Sequence, residues 1–71
     1  MATTVRAHIA GTVWKIEVAV GDAVTEGQTV VILESMKMEM PVESPAAGRV
    51  SSVLVKPGDA VEEGGPLVEL G

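Results

Sequence analysis

The sequence has no cysteine, no phenylalanine and no tyrosine, and only one tryptophan (Trp14) and one histidine (His8). Without cysteine there is no disulfide to staple a small fold, no thiolate nucleophile and no Cys-built metal site. Zero cysteine also fits a reducing compartment. With aromatics nearly absent, a core has to be built from Val, Ile, Leu and Ala, and no platform exists for stacking bases. Positive charge is scarce as well. Five Lys and Arg stand against ten Asp and Glu, a net charge of −5, which argues against nucleic acid and against an anionic membrane surface. No apolar run approaches the length of a membrane span. The opening residues, Met1 to Arg6, show no basic stretch leading into an apolar one. No signal peptide is therefore expected, and the cytoplasm is the expected compartment.

What the sequence does have is valine, glycine-containing turns and an internal repeat. Sliding the chain by 37 positions lays Ala10-Gly11-Thr12-Val13 on Ala47-Gly48-Arg49-Val50 and Gly21-Asp22-Ala23-Val24 on Gly58-Asp59-Ala60-Val61. Glu26-Gly27 falls on Glu63-Gly64, Val31 on Val68 and Leu33 on Leu70. Between residues 10–34 and 47–71, twelve of twenty-five positions are identical without a gap. The 71 residues therefore read as one domain, spanning 1–71 and made of two copies of one unit, about 4–34 and 41–71, joined by a hairpin at 35–40. A pseudo-twofold axis is expected to relate the copies.

Valine-rich segments between glycine turns indicate strands. Residues 4–9 alternate, with Val5, Ala7 and Ile9 on one side and Arg6 and His8 on the other. The next strand, about 12–18, breaks the period of two: its apolar positions are Val13, Ile16 and Val18, and the second copy repeats the break at Val50, Val53 and Val55. A β-bulge near 14–15 and near 51–52 accounts for both and turns Trp14, Lys15, Ser51 and Ser52 outward. Very short strands follow at Ala23-Val24 and Ala60-Val61, and longer ones at 29–34 and 66–70. Val31, Leu33, Val68 and Leu70 are expected to point inward, and Ile32, matched by Glu69, to face solvent in part. The expected fold is all-β: a flattened barrel–sandwich of two four-stranded antiparallel sheets, whose closure removes exposed edges.

Catalytic readings find little support. His8 has Pro45 as its counterpart and reads as a surface residue of a strand. Asp22 and Asp59 follow turn glycines in copies of one motif, which fits turn capping better than acid–base work. No Ser is accompanied by a His and an Asp, and a glycine-rich phosphate loop needs a strand–loop–helix setting that is absent. No catalytic residue and no metal site is assigned.

The unmatched segment is different. Within Glu34-Ser35-Met36-Lys37-Met38-Glu39, Lys37 has no counterpart in either direction, because the shift carries position 37 off both ends. Lys37 falls where the chain turns over, at the end of the domain expected to lie opposite the termini, while the first and last strands lie side by side. Tight turns normally take Gly, Asn, Asp or Pro, and Met36-Lys37-Met38 offers none. Methionine is a soft, adaptable contact residue, so this tip reads as a surface presented to another protein.

Glu34-Ser35-Met36-Lys37-Met38 resembles the Glu-Ala-Met-Lys-Met signature of the biotin/lipoyl attachment domain family. Gly-Asp-Ala-Val followed by Glu-Gly, written on both sides of the lysine, is similar to the pattern of the same family, over about residues 5–70. Ser35 stands where Ala is usual. The equal Gly11–Gly21 and Gly48–Gly58 spacings leave no room for the thumb-like insertion of some carriers, so the chain looks most like the small free-standing members.

The resemblance implies a non-catalytic biotin carboxyl carrier. Its cofactor would be biotin in amide linkage to Lys37. Glu34, Ser35, Met36, Met38 and Glu39 would be read by a biotin protein ligase, and biotin carboxylase and carboxyltransferase components would be its further partners. A free lysine has a pKa of about 10.4 and is almost entirely protonated at neutral pH, so such a ligase has to bring activated biotin to it. Two other readings stand beside this one. Lipoate on Lys37 would make a lipoyl carrier of the 2-oxoacid dehydrogenase or glycine-cleavage type, although lipoyl domains usually show Asp-Lys-Ala there. An unmodified barrel–sandwich interaction module is the third.

Overall fold

The computed structural model describes residues 3–71. The described residues form eight strands and no helix: β1 Thr3–Arg6, β2 Gly11–Ile16, β3 Ala23–Val24, β4 Thr29–Ser35, β5 Met38–Glu43, β6 Gly48–Val53, β7 Ala60–Val61 and β8 Pro66–Leu70. They make two antiparallel four-stranded sheets, ordered β1-β8-β6-β3 and β5-β4-β2-β7. The 37-residue shift carries β1 onto β5, β8 back onto β4, β6 back onto β2 and β3 onto β7. Each sheet is thus the image of the other. The first and last strands pair, with Thr3 opposite Leu70 and Val5 opposite Val68.

Neither unit folds on itself alone. The Gly21-Asp22 turn of the first unit is tied to β6 of the second through Gly21 N to Val50 O and Val50 N to Asp22 O, both 2.8 Å. The Gly58-Asp59 turn repeats this on β2, through Gly58 N to Val13 O and Val13 N to Asp59 O, again both 2.8 Å. Each glycine sits at φ 96°, in the left-handed region that other residues resist. Each aspartate caps its own turn. Asp22 Oδ2 accepts from the Ala19 N–H at 2.9 Å and Asp59 Oδ2 from the Lys56 N–H at 3.0 Å, so both carboxylates hold turns.

The bulges read from the broken periodicity are present. The β2–β4 register shifts between Val13 and Lys15, and the β6–β8 register between Val50 and Ser52. Trp14 and Ser51 are the extra residues, and both are exposed. A second symmetric pair escaped the reading. The β4–β5 register shifts between Thr29 and Val31, and β8 skips Leu67 against β1. Val30 and Leu67 are these unpaired residues, yet they are as fully buried as Val31, Leu33 and Val68. The bulge sends two successive side chains into the core, which simple alternation does not anticipate.

The core between the sheets is aliphatic, built of Val5, Ala7, Val13, Val18, Val24, Val30, Val31, Leu33, Val42, Val50, Leu67, Val68 and Leu70. Ile32 is half-buried on the outer side, as its match to Glu69 indicated. Closure is less complete than expected, since β1, β3, β5 and β7 are sheet edges. Two of these edges are only two residues long, and β5 carries Pro41 between Glu39 and Glu43. Short edges, proline and charge all discourage pairing with another chain.

Candidate functional site

Strands β4 and β5 form a hairpin whose pairs run Leu33 with Met40, Glu34 with Glu39 and Ser35 with Met38. Only Met36 and Lys37 are left for the turn. A two-residue connection matches the right-handed twist of its strands when both residues have positive φ, as in the type I′ turn usually made by Asn-Gly. Met36 has φ 52° and Lys37 φ 65°, and they are the non-glycine residues in that region. For a side chain bearing a Cβ this conformation costs about 1–2 kcal/mol per residue. Such strain persists where the surroundings over-determine it, and it gathers at functional sites. Here the strand pairing imposes the turn, and the sequence has not relieved it with glycine.

The strained turn is open to solvent. Met36 is 91% exposed and Met38 62%, and Lys37 is exposed. Among the described residues the one ion pair joins Lys15 to Glu17 at 3.7 Å, leaving Lys37 out of any. Its amine is held by no partner that an incoming acyl group would have to displace, which fits covalent attachment through an amide. Glu34 and Glu39 lie opposite each other and are exposed, while Ser35 is half-buried on the other face.

The structure therefore brings Glu34, Ser35, Met36, Lys37, Met38 and Glu39 into one hairpin end. Met36 and Met38 are largely exposed, whereas Met40 is partly buried and packs on the core. Strand parity puts Met38 on the same face as Met40 and Val42, but nearer the hairpin end, where it is largely exposed.

Gly11 also belongs to the site, although the sequence showed it only as part of the repeat. A Cβ at Gly11 would lie 2.6 Å from the carbonyl oxygen of Glu34 and 3.5 Å from Cβ of Ser35. The start of β2 thus presses on the base of the hairpin and braces it. At the equivalent Gly48 the nearest atom to such a Cβ is Leu70 Cβ at 3.3 Å. His8 is exposed in the link between β1 and β2. No cavity is found among the described residues.

Residues 1–70 match the family described as biotin-requiring enzyme, the biotin/lipoyl domain. The chain is 49% identical over 67 residues to the biotin/lipoyl attachment protein of Bacillus subtilis, covering 94% of this chain and 92% of that one. It is 46% identical over 52 residues to the biotin carboxyl carrier protein of Streptococcus mutans, covering 73% of this chain and 40% of the relative. Among solved structures it superposes on the urea carboxylase of Kluyveromyces lactis with a TM-score of 0.94 and 38% identity, over 100% of this chain and 6% of that enzyme. The chain belongs to the biotin/lipoyl domain family, and biotin is the prosthetic group that family requires. It is a domain of the carboxyl-carrier kind, homologous to parts of biotin-dependent carboxylases.

Proposed function

We propose that this protein is a non-catalytic biotin carboxyl carrier whose attachment point is Lys37. The observation that carries the proposal is the turn itself: a lysine in a left-handed conformation, at the tip of a two-residue hairpin, exposed and unpaired. Glycine would relax the backbone there, so the retention of a lysine points to a use for its amine.

The body of the domain contributes presentation. Strands β4 and β5 hold the tip out, the Gly11–Glu34 contact braces its base, and the acidic surface keeps the carrier soluble. No side chain of the hairpin can deliver an activated acyl group, so a biotin protein ligase supplies it, reading Glu34, Ser35, Met36, Met38 and Glu39. Biotin, once bound, would supply a ring nitrogen able to accept a carboxyl group and release it. Tethering replaces bulk encounters with local ones at a biotin carboxylase and a carboxyltransferase component.

Intact mass of the protein after incubation with biotin, ATP and a biotin ligase tests this reading. Wild type should gain the mass of biotin less one water, and Lys37→Arg should gain nothing. A gain on the Arg variant would sink the assignment of Lys37. A lipoyl-sized gain from a lipoate ligase, with none from the biotin ligase, would replace biotin by lipoate.

A further inference from the structure

The internal repeat supplies a control for every surface position, because the same environment occurs twice. In the outward row of the sheet that bears the hairpin, Pro41 pairs with Ile32, and the bulge sets Trp14 and Lys15 together opposite Ile32. In the equivalent row of the other sheet, Thr4 pairs with Glu69, and Ser51 and Ser52 stand opposite Glu69. The fold is therefore content with Thr, Glu, Ser and Ser in this row. In the hairpin's sheet the same places carry Pro, Ile, Trp and Lys. Trp14 is 47% exposed and is the protein's one aromatic residue. An edge strand gives its own reason for Pro41, whereas the polar row shows that the same fold places need neither Trp14 nor Ile32. Acids edge the row on both sides: Glu34 and Glu39 toward the turn and Glu43 away from it, while Glu17 is paired with Lys15.

We propose that the row formed by Trp14, Ile32 and Pro41 is a docking surface for the enzyme that acylates Lys37, a biotin protein ligase offering an apolar patch with a basic rim. The inference rests on the reading of Lys37 as the attachment point. Three things select this occupant. The row lies on the strands that end in the Lys37 turn, and the pair Ile32–Pro41 is three pairs in from Ser35–Met38, about 10 Å at the usual strand rise. An enzyme that must enclose the Lys37 turn reaches toward the row from just beyond that distance, whereas enzymes working at the outer end of a bound group meet the body from farther away. The acidic edge complements a basic rim and speeds encounter. A second copy of this chain fits less well: it would carry the same acids, and a stable dimer needs about 20–30 residues a side. An exposed tryptophan is also the residue type most often found to dominate a small interface.

The test uses the repeat's own residues as substitutions. Trp14→Ser and Ile32→Glu place in one sheet what the other carries at Ser51 and Glu69, so both should fold, as melting curves would verify. Each should raise the KM for ligase-catalysed biotinylation about tenfold, a change worth about 1.4 kcal/mol, with kcat little altered, because docking precedes chemistry. Ser51→Ala, in the polar row, should leave KM unchanged. Independently, Lys37→Arg protein labelled with 5-fluorotryptophan reports on Trp14 alone. Its single fluorine resonance should shift on titration with unlabelled ligase. Folded variants with wild-type KM, or a resonance unmoved by saturating ligase, would overturn the docking surface. So would a shift with carrier concentration alone, which would make the row a self-contact. Biotin on Lys37→Arg would instead overturn the assignment of the lysine, a separate outcome read by mass.

Discussion

Glu34 and Glu39 face each other directly across the β4–β5 hairpin, one pair in from the turn, and both are exposed. Neither joins an ion pair among the described residues. Like charges directly opposite one another destabilise an antiparallel pair, by about 0.2–1 kcal/mol. The arrangement works against the fold. Glu39→Lys should raise the free energy of unfolding from urea melts by an amount in that range, and salt should shrink the gain, because the interaction is exposed and screened. The same variant should be acylated more slowly by a biotin ligase.

The turn makes a second prediction. Replacing Met36-Lys37 by Asn-Gly supplies residues suited to positive φ at both positions. Given φ values of 52° and 65° in the present turn, the double variant should be more stable by about 1–3 kcal/mol and should take up no biotin. Chemical denaturation and intact mass read the two halves separately. A double variant less stable than wild type would mean that the turn is not strained.

Much of this was legible in the sequence because the chain states its unit twice. The repeat placed the strands, the turn aspartates and the bulges at Trp14 and Ser51 without any contact being known. It did not reveal the bulges at Val30 and Leu67. In a run as apolar as Val30-Val31-Ile32-Leu33, every residue suits the core, so periodicity cannot say which one is extra. Nor could residue type reveal left-handed φ at Met36 and Lys37: neither is a residue that signals it, and strand pairing forces the conformation. The close approach of Gly11 to Glu34 joins residues far apart in sequence and is seen only when the strands are placed.

Core and tip should separate in mutants. Leu33 is fully buried, and truncation to Ala should cost about 2–5 kcal/mol, a large part of the stability of a small domain. Met36→Ala and Met38→Ala should stay within about 0.5 kcal/mol of wild type, as exposed positions do, while lowering the rate of acylation. Thermal melts in which the methionine variants fall as far as Leu33→Ala would show that the hairpin packs on the body.

The last prediction compares two glycines that the repeat makes equivalent. A Cβ on Gly48 meets Leu70 Cβ at 3.3 Å, whereas a Cβ on Gly11 meets the Glu34 carbonyl oxygen at 2.6 Å. The first contact is with a side chain and asks a neighbour to give by a few tenths of an ångström. The second is with backbone at a distance that real Cβ atoms do not tolerate, so β2 or the hairpin has to move. Overpacking of this kind costs about 1–3 kcal/mol. Gly11→Ala should therefore be the more destabilised of the pair and should also slow biotinylation, because the displaced backbone is the base of the Lys37 turn. Gly48→Ala should melt nearer to wild type and be acylated at the normal rate. The amide resonances of Glu34 and Ser35 should shift in Gly11→Ala and stay in place in Gly48→Ala. Equal losses of stability and labelling in the two variants would show that Gly11 serves the repeat alone and does not brace the hairpin.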